Sequence, residues 1–198
     1  MKIAIAGHTG FLGTLLKNHF IGKNIDVIGI NRADFASVAL LKRKIEGSQV
    51  VINLIGATIQ KHWTKNYKQQ IIDSRVNATK MIALAINELD YDIYLVNGSA
   101  IGIYSNSTVH AEESLEFDDR FLARVVKQWE DSLHRHLKST KFCIVRLGII
   151  LGKTGGYLNK ILLPFKLKIG VYFGSRKGCF TFVDADDFIP VLDQAHSC

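Results

Sequence analysis

Lys2-Ile3-Ala4-Ile5-Ala6-Gly7-His8-Thr9-Gly10-Phe11-Leu12-Gly13 opens the chain after Met1. Four apolar residues in succession, 3–6, predict a strand buried on both faces. Glycines at 7, 10 and 13 follow in a G-x-x-G-x-x-G spacing. Apolar residues at 11, 12, 15, 16 and 20 fall on one helical face, so a helix is expected over 11–20. Strand, glycine turn and helix in this order form a cradle for phosphate. Glycine adopts the left-handed backbone and lets a pyrophosphate approach closely. The helix N-terminus adds unpaired N–H groups and a partial positive charge. A tight strand–helix turn without a ligand is the plainer reading of the same residues.

The alternation continues outward. Strands are predicted over 26–31 (DVIGIN), 49–55 (QVVINLI), 93–97 and 142–147, and helices over 35–45, 66–88 and 121–137. This pattern predicts an α/β fold, a Rossmann-like doubly wound parallel sheet covered on both faces. Between Asn31 and the strand ending at Ile55 there is room for one helix only. The third strand of a full doubly wound half is therefore expected to be absent or vestigial. No repeat, low-complexity stretch or linker interrupts the chain. Residues 1–150 read as a nucleotide-binding domain and 151–198 as a partial substrate-side segment.

Composition narrows the classes. The 198 residues are 47% hydrophobic and 22% charged, which suits one globular domain and excludes default disorder. No apolar run approaches the roughly 20 residues of a membrane helix. A strand starting at Lys2 leaves no room for a signal peptide. Cys143, Cys179 and Cys198 are odd in number and widely spaced, so no metal site and no disulfide framework is expected. A reduced, cytoplasmic compartment follows. Lys plus Arg outnumber Asp plus Glu by 25 to 18, for a net charge of +7. That excess suits an anionic partner, whether phosphate, nucleotide or nucleic acid, or else a solvated basic face. Lys160, Lys166, Lys168, Arg176 and Lys177 gather late in the chain. Only Tyr172, Phe173 and Phe180 interleave with them, so nucleic acid is the less favoured partner.

The end of the second strand discriminates between coenzymes. An acidic residue there would hold the ribose hydroxyls of NAD; this chain has Asn31-Arg32. A guanidinium forms charge-assisted bonds to a 2′-phosphate, worth roughly 1.5–3 kcal/mol. NADP(H) is thus expected in preference to NAD(H). Asp34 could accept an adenine amino group or repel the phosphate, and Arg32 could equally be a solvated loop residue.

Four stretches together resemble the extended short-chain dehydrogenase/reductases: residues 7–13, Asn53-Leu54-Ile55-Gly56-Ala57, Ser99-Ala100-Ile101-Gly102-Ile103-Tyr104, and Arg146-Leu147-Gly148-Ile149-Ile150-Leu151-Gly152. More closely, the chain resembles their epimerase-like, NAD(P)-binding subgroup. Trp63-Thr64, Asp73-Ser74-Arg75-Val76, Trp129-Glu130, Gly155-Gly156 and Asp186-Asp187 carry that resemblance in family order. It implies an NADP(H)-binding oxidoreductase or nucleotide-sugar-epimerase-like protein acting on a small polar substrate. By resemblance, Gly7, Thr9, Gly10, Phe11, Leu12 and Gly13 hold the pyrophosphate and Arg32 the 2′-phosphate. Gly56 and Ala57 line the ribose and nicotinamide side. Gln70 and Arg75 face the coenzyme from the long helix, and Gly148 and Ile149 approach the nicotinamide.

Two departures qualify the chemistry. The wider superfamily moves a proton with Ser or Thr, Tyr and Lys, the last two spaced Tyr-x-x-x-Lys on one helix. Ser99 fits the serine slot, but the helical slots hold Leu122 and Val126, or Ala123 and Lys127 one residue on. Tyr104 is the tyrosine near Ser99, so Ser99 and Tyr104 are the catalytic candidates, with packing or substrate stacking as the other reading of Tyr104. His8, inside the cradle, reads as a lining residue. The chain also stops just past Asp186-Asp187, short of the family's C-terminal region. A remnant, a truncated chain and a partner-completed protein are the open readings. An apolar flank left bare predicts self-association into a homo-oligomer, or cover by another chain. The alternative function is a coenzyme-binding protein without turnover, serving as sensor or scaffold.

Overall fold

The structure is a computed structural model that describes residues 1–105, 108–138, 141–153, 155–170 and 181–194. Five parallel strands form the main sheet: β1 (Lys2–Ala6), β2 (Asp26–Ile30), β3 (Val50–Asn53), β4 (Tyr94–Ala100) and β5 (Phe142–Leu147). Their order is β2-β1-β3-β4-β5. The stretch between β2 and β3 holds a 3-10 turn at Arg32–Ala36 and helix α2 (Val38–Ile45), with no strand among these residues.

Both faces of the sheet are buried, as the unbroken apolar runs require. Ala4, Ala6, Val51 and Leu95 face one cluster, which is filled by Leu41 and Ile45 of α2, Ile82 and Ile86 of α3 (Lys65–Asn87) and Leu133 of α4 (Phe121–His136). Ile3, Ile5, Ile52 and Val96 point the other way. They meet Leu16 and Phe20 of α1 (Phe11–Gly22) and Phe188, Ile189 and Leu192 of α6 (Ala185–Gln194).

The predicted helix 35–45 is two elements. Ser37 is extended, and its Oγ accepts the Leu40 N–H at 3.2 Å, so it caps a new helix instead of continuing the first turn. Strand β4 runs further than expected, to Ala100, which places Ser99 inside the strand, opposite Arg146.

Residues past 148 build a second sheet. β6 (Ile149–Gly152) lies between β7 (Gly155–Gly156), antiparallel to it, and β8 (Phe182–Asp184), parallel to it. α5 (Leu158–Lys166) follows β7 and leaves Phe165 exposed, along with Leu167 and Ile169 beyond it. Asp186 and Asp187 lie in the first turn of α6, where the Asp184 carboxylate accepts the Asp186 N–H at 2.8 Å. Of the late basic residues, Lys166 and Lys168 are exposed, while Arg176 and Lys177 lie outside the described residues. So do Tyr172, Phe173, Phe180, Cys179 and Cys198. Among the described residues no helix is long and apolar enough to cross a membrane, and no group of His, Cys, Asp and Glu is placed to hold a metal.

Candidate active site

From β1 the chain moves to β2 on one side and then returns to β3 on the other. The carboxyl ends of β1 and β3 therefore frame the crevice where open α/β sheets bind ligands. Gly7 begins the turn there with φ +86°, and a Cβ on it would come within 2.9 Å of the Leu54 carbonyl oxygen. The Gly10 N–H donates to the Gly7 carbonyl at 2.9 Å. A Cβ on Gly13 would lie 2.2 Å from that same carbonyl, so only glycine lets α1 pack this close. Gly10 caps α1 without a side chain, and no acidic residue occupies the first turn. The N–H groups there are free to meet an anion, so the turn fits a diphosphate. Thr9 is exposed at its rim. The side chains of Phe11 and Leu12 serve packing: Leu12 joins the second core cluster, and the Phe11 ring fills space beside Gly152, Gly155 and Gly156.

Beside the cradle a cleft of about 640 Å³ opens between the 3-10 turn, residues 55–57 and α3. It brings together Arg32, Gly56, Ala57 and Gln70. Asn66, Gln69, Asp73 and Asn77 add a polar wall that the sequence reading missed. Its signal was present, since 66, 69, 70, 73 and 77 share one helical face. Asp34 Oδ2 accepts the Asn31 N–H at 2.7 Å in a capping box that starts the 3-10 turn.

Arg75 braces this wall. Its guanidinium donates to the Ala57 carbonyl at 3.1 Å and the Ile71 carbonyl at 3.0 Å, and lies over the Trp129 ring. Burial pulls its pKa below the ordinary arginine value. Ser74 Oγ accepts the Ala57 N–H at 2.9 Å. Beneath the cleft, Asn53 donates to Asn97 at 2.7 Å and to Thr79 at 3.0 Å, and the Trp129 indole N–H donates to Thr79 at 2.8 Å. These buried groups tie β3, β4, α3 and α4 together under the site.

Ser99 and Tyr104 join a second constellation at the carboxyl ends of β4 and β5. Ser99 Oγ donates to Glu130 Oε1 at 2.5 Å. Glu130 accepts two bonds from Arg146, at 2.9 Å from Nε and 2.8 Å from Nη2. Arg146 Nη1 donates to the Tyr104 hydroxyl oxygen at 2.5 Å, and its guanidinium lies over the Tyr104 and Phe117 rings. The hydrogen bonds to Glu130, acting against burial, raise the Arg146 pKa above the ordinary value. Of the tyrosine–lysine slots on α4, Ala123 and Val126 are buried, Leu122 is half-buried and Lys127 is exposed. Gly148 and Ile149 sit where β5 passes into β6. The Ile149 N–H donates to the Thr181 carbonyl at 3.2 Å, and a Cβ on Gly148 would come within 3.3 Å of that oxygen.

The model of the NAD dependent epimerase/dehydratase family matches residues 3–197. The chain belongs to this family. As an epimerase/dehydratase member it is 31% identical over 205 residues to an epimerase family protein of Staphylococcus saprophyticus, covering 95% of this chain and 68% of that one. It is 26% identical to the chloroplastic SDR39U1 homolog of Arabidopsis thaliana, covering 98% of this chain and 62% of that one. The chain thus spans about two thirds of the length of these curated relatives. In fold it matches the crystal structure of human SDR39U1 with NADPH at a TM-score of 0.88 and 24% identity, over 100% of this chain and 70% of that one. The UDP-glucuronic acid 4-epimerase of Bacillus cereus, solved with UDP-glucuronic acid and NAD, matches at 0.82 and 17% identity, over 100% of this chain and 74% of that one.

Proposed function

We propose that this family member binds NADP(H) in preference to NAD(H) and acts as an oxidoreductase or epimerase-like enzyme on a small polar substrate. One observation carries the coenzyme choice. Arg32 lines the cleft beside the glycine cradle, and no ion pair among the described residues engages it. A free guanidinium at the end of β2 is matched to a dianionic phosphate on the adenosine ribose. The NADPH in the human relative supports this reading, although the Bacillus neighbour holds NAD. The bound coenzyme would supply hydride transfer.

The chain's own groups then divide the work. Backbone N–H groups of residues 11–13 grip the diphosphate, with Gly7 and Gly10 shaping the turn and Thr9 at its rim. Gly56 and Ala57 line the ribose, held by Ser74 and Arg75, and Gln70 faces the coenzyme from α3. Gly148 and Ile149 close on the nicotinamide side. Ser99 and Tyr104 meet the substrate oxygen. Fluorescence titration tests the coenzyme assignment. Arg32→Ala is expected to weaken NADPH roughly tenfold or more and leave NADH within about twofold. Equal losses for both coenzymes would remove it.

A reading without turnover has its own support. Leu122 and Val126 cannot transfer a proton, and the Ser99 hydroxyl is already engaged by Glu130. A screen of carbonyl substrates that follows NADPH absorbance separates the two. A cytoplasmic place of action and self-association through the exposed apolar residues around α5 belong to the same proposal.

A further inference from the structure

Helix α3 precedes β4 and α4 precedes β5 in a parallel sheet, so both helices begin at the carboxyl edge of the strands. The loop that leaves β3 through Gly56 and Ala57 lies at the same edge. Two side chains fix it: the Trp63 indole N–H donates to the Ile59 carbonyl at 2.8 Å, and the Tyr67 hydroxyl donates to the Thr58 carbonyl at 2.6 Å. The Trp63 ring meets Phe121, the first residue of α4, with ring centroids 5.3 Å apart. Four residues earlier, Phe117 pairs with Tyr104 in an isolated antiparallel bridge. The aromatic pair therefore connects the Ala57 lip of the coenzyme cleft to the segment that packs on Tyr104.

Cations are held against these rings. Lys68 Nζ lies 5.2 Å from the Phe121 ring centroid, and Lys61 Nζ lies 5.6 Å from that of Tyr67. An ammonium over a ring face is drawn by the ring quadrupole, and its charge is left uncancelled. No ion pair among the described residues engages Lys61, Lys65 or Lys68. Two nearby carboxylates are already engaged, Asp118 by Arg120 and Asp73 by the Gln69 amide at 2.9 Å. Neither α3 nor α4 has an acidic residue in its first turn, so both helix dipoles add to the positive field. Trp63, Tyr67 and Phe121 are each half-buried, which leaves fixed apolar surface beside the charges. A ring packs on such a surface while its anionic group meets the ammoniums.

We propose that this patch is a subsite for a phosphate ester of a ring compound, with Lys61 and Lys68 on the phosphate and Trp63 against the ring. The proposal rests on the small-polar-substrate reading above and narrows it to a phosphorylated substrate. A phosphate monoester carries nearly two negative charges and three acceptor oxygens, so it can take donors from more than one ammonium at once. None of Lys61, Trp63, Lys68 and Phe121 lines the Arg32 cleft, so coenzyme and substrate phosphate have separate places.

The test is titration of the full chain with uridine 5′-monophosphate and with glucose 6-phosphate, each beside its unphosphorylated counterpart, followed by calorimetry and tryptophan fluorescence. Trp63 and Trp129 are the two tryptophans, and Trp129 is buried, so quenching reports on Trp63. At least one phosphate is expected to bind roughly tenfold tighter than its counterpart, to quench the fluorescence and to weaken as salt rises. A preference between the two separates a planar base from a saturated ring on Trp63. Lys61→Gln and Lys68→Gln are each expected to lower that affinity roughly three- to tenfold, with Arg32→Ala within about twofold of wild type. The proposal is overturned if neither phosphate binds better than its counterpart, or if both lysine variants bind as wild type does. A loss in Arg32→Ala as large as theirs also overturns it, since the phosphate then sits in the coenzyme cleft. NADPH titration keeps the two readings apart. If NADPH binds wild type and lysine-dependent phosphate binding is missing, this proposal alone falls. If phosphate binding persists and NADPH fails to bind, the coenzyme reading alone falls.

Discussion

The five-stranded and three-stranded sheets are built from the same chain on different terms. In β1 and β3 nearly every residue is buried, and each face has its own layer of helices. In β8, Phe182 and Asp184 are exposed, and β7 is two glycines long. The small sheet cannot fill an interior of its own. It is joined to β5 through Gly148 and rests on the ring of Phe11, a residue of the cradle helix. Beyond it, α6 returns to the main core, and Asp193 pairs with Lys23 and with His19 of α1. One sheet holds the binding turn in place; the other is positioned by it.

Three substitutions probe that contrast. The largest effect belongs to Gly13→Ala, whose Cβ meets backbone at 2.2 Å with no flexible atom to yield. Urea unfolding should show a loss of about 3 kcal/mol or more, together with loss of coenzyme binding. A loss below about 1 kcal/mol would mean that the cradle is looser than the main sheet around it. Phe11→Ala comes next, at about 1–3 kcal/mol. Hydrogen exchange should quicken in β6, β7 and β8 while β1 and β3 stay protected; uniform quickening would show the two sheets to be one cooperative unit. The smallest effect belongs to Asp193→Asn. Burial raises the Asp193 pKa, but its bonds to Lys23 and His19 prevail and hold the carboxyl below the usual carboxylate range. Its contribution is therefore present above the unfolded value of about 4 and lost as pH falls through the lower folded value. The variant should flatten that acid limb of stability by less than about 1 kcal/mol, because Lys23 is half exposed. An unchanged acid limb would dissociate α6 docking from this carboxylate.

The same contrast explains what could be read from the chain alone. The main strands announce themselves as apolar runs, and the cradle as glycines between a strand and a helix. Those signals are local. The helix expected over 35–45 is divided by one serine hydroxyl that caps the second piece, a detail that apolar spacing does not carry. The small sheet was illegible because its glycines answer to Phe11, more than a hundred residues earlier. The Glu130–Arg146 pair joins a helix to a strand, and the His8 ring packs on Gly29 of the neighbouring strand. Neither has a signature at fixed spacing. The cleft is intermediate: Arg32, Gly56 and Gln70, singled out in the sequence, line it together, and the rest of the α3 wall follows the polar side of a helical repeat whose apolar side alone marks the helix.

The seat of the Phe11 ring has one more consequence. Ring carbons of Phe11 would lie 2.6 Å from a Cβ on Gly152 or Gly155 and 2.9 Å from one on Gly156. These four positions share a single volume that can be traded among them but not enlarged. A methyl group gained at 152 or 155 must be matched by a smaller residue at 11, so sequence drift at the mouth of the cradle and in the distant hairpin has to proceed in step.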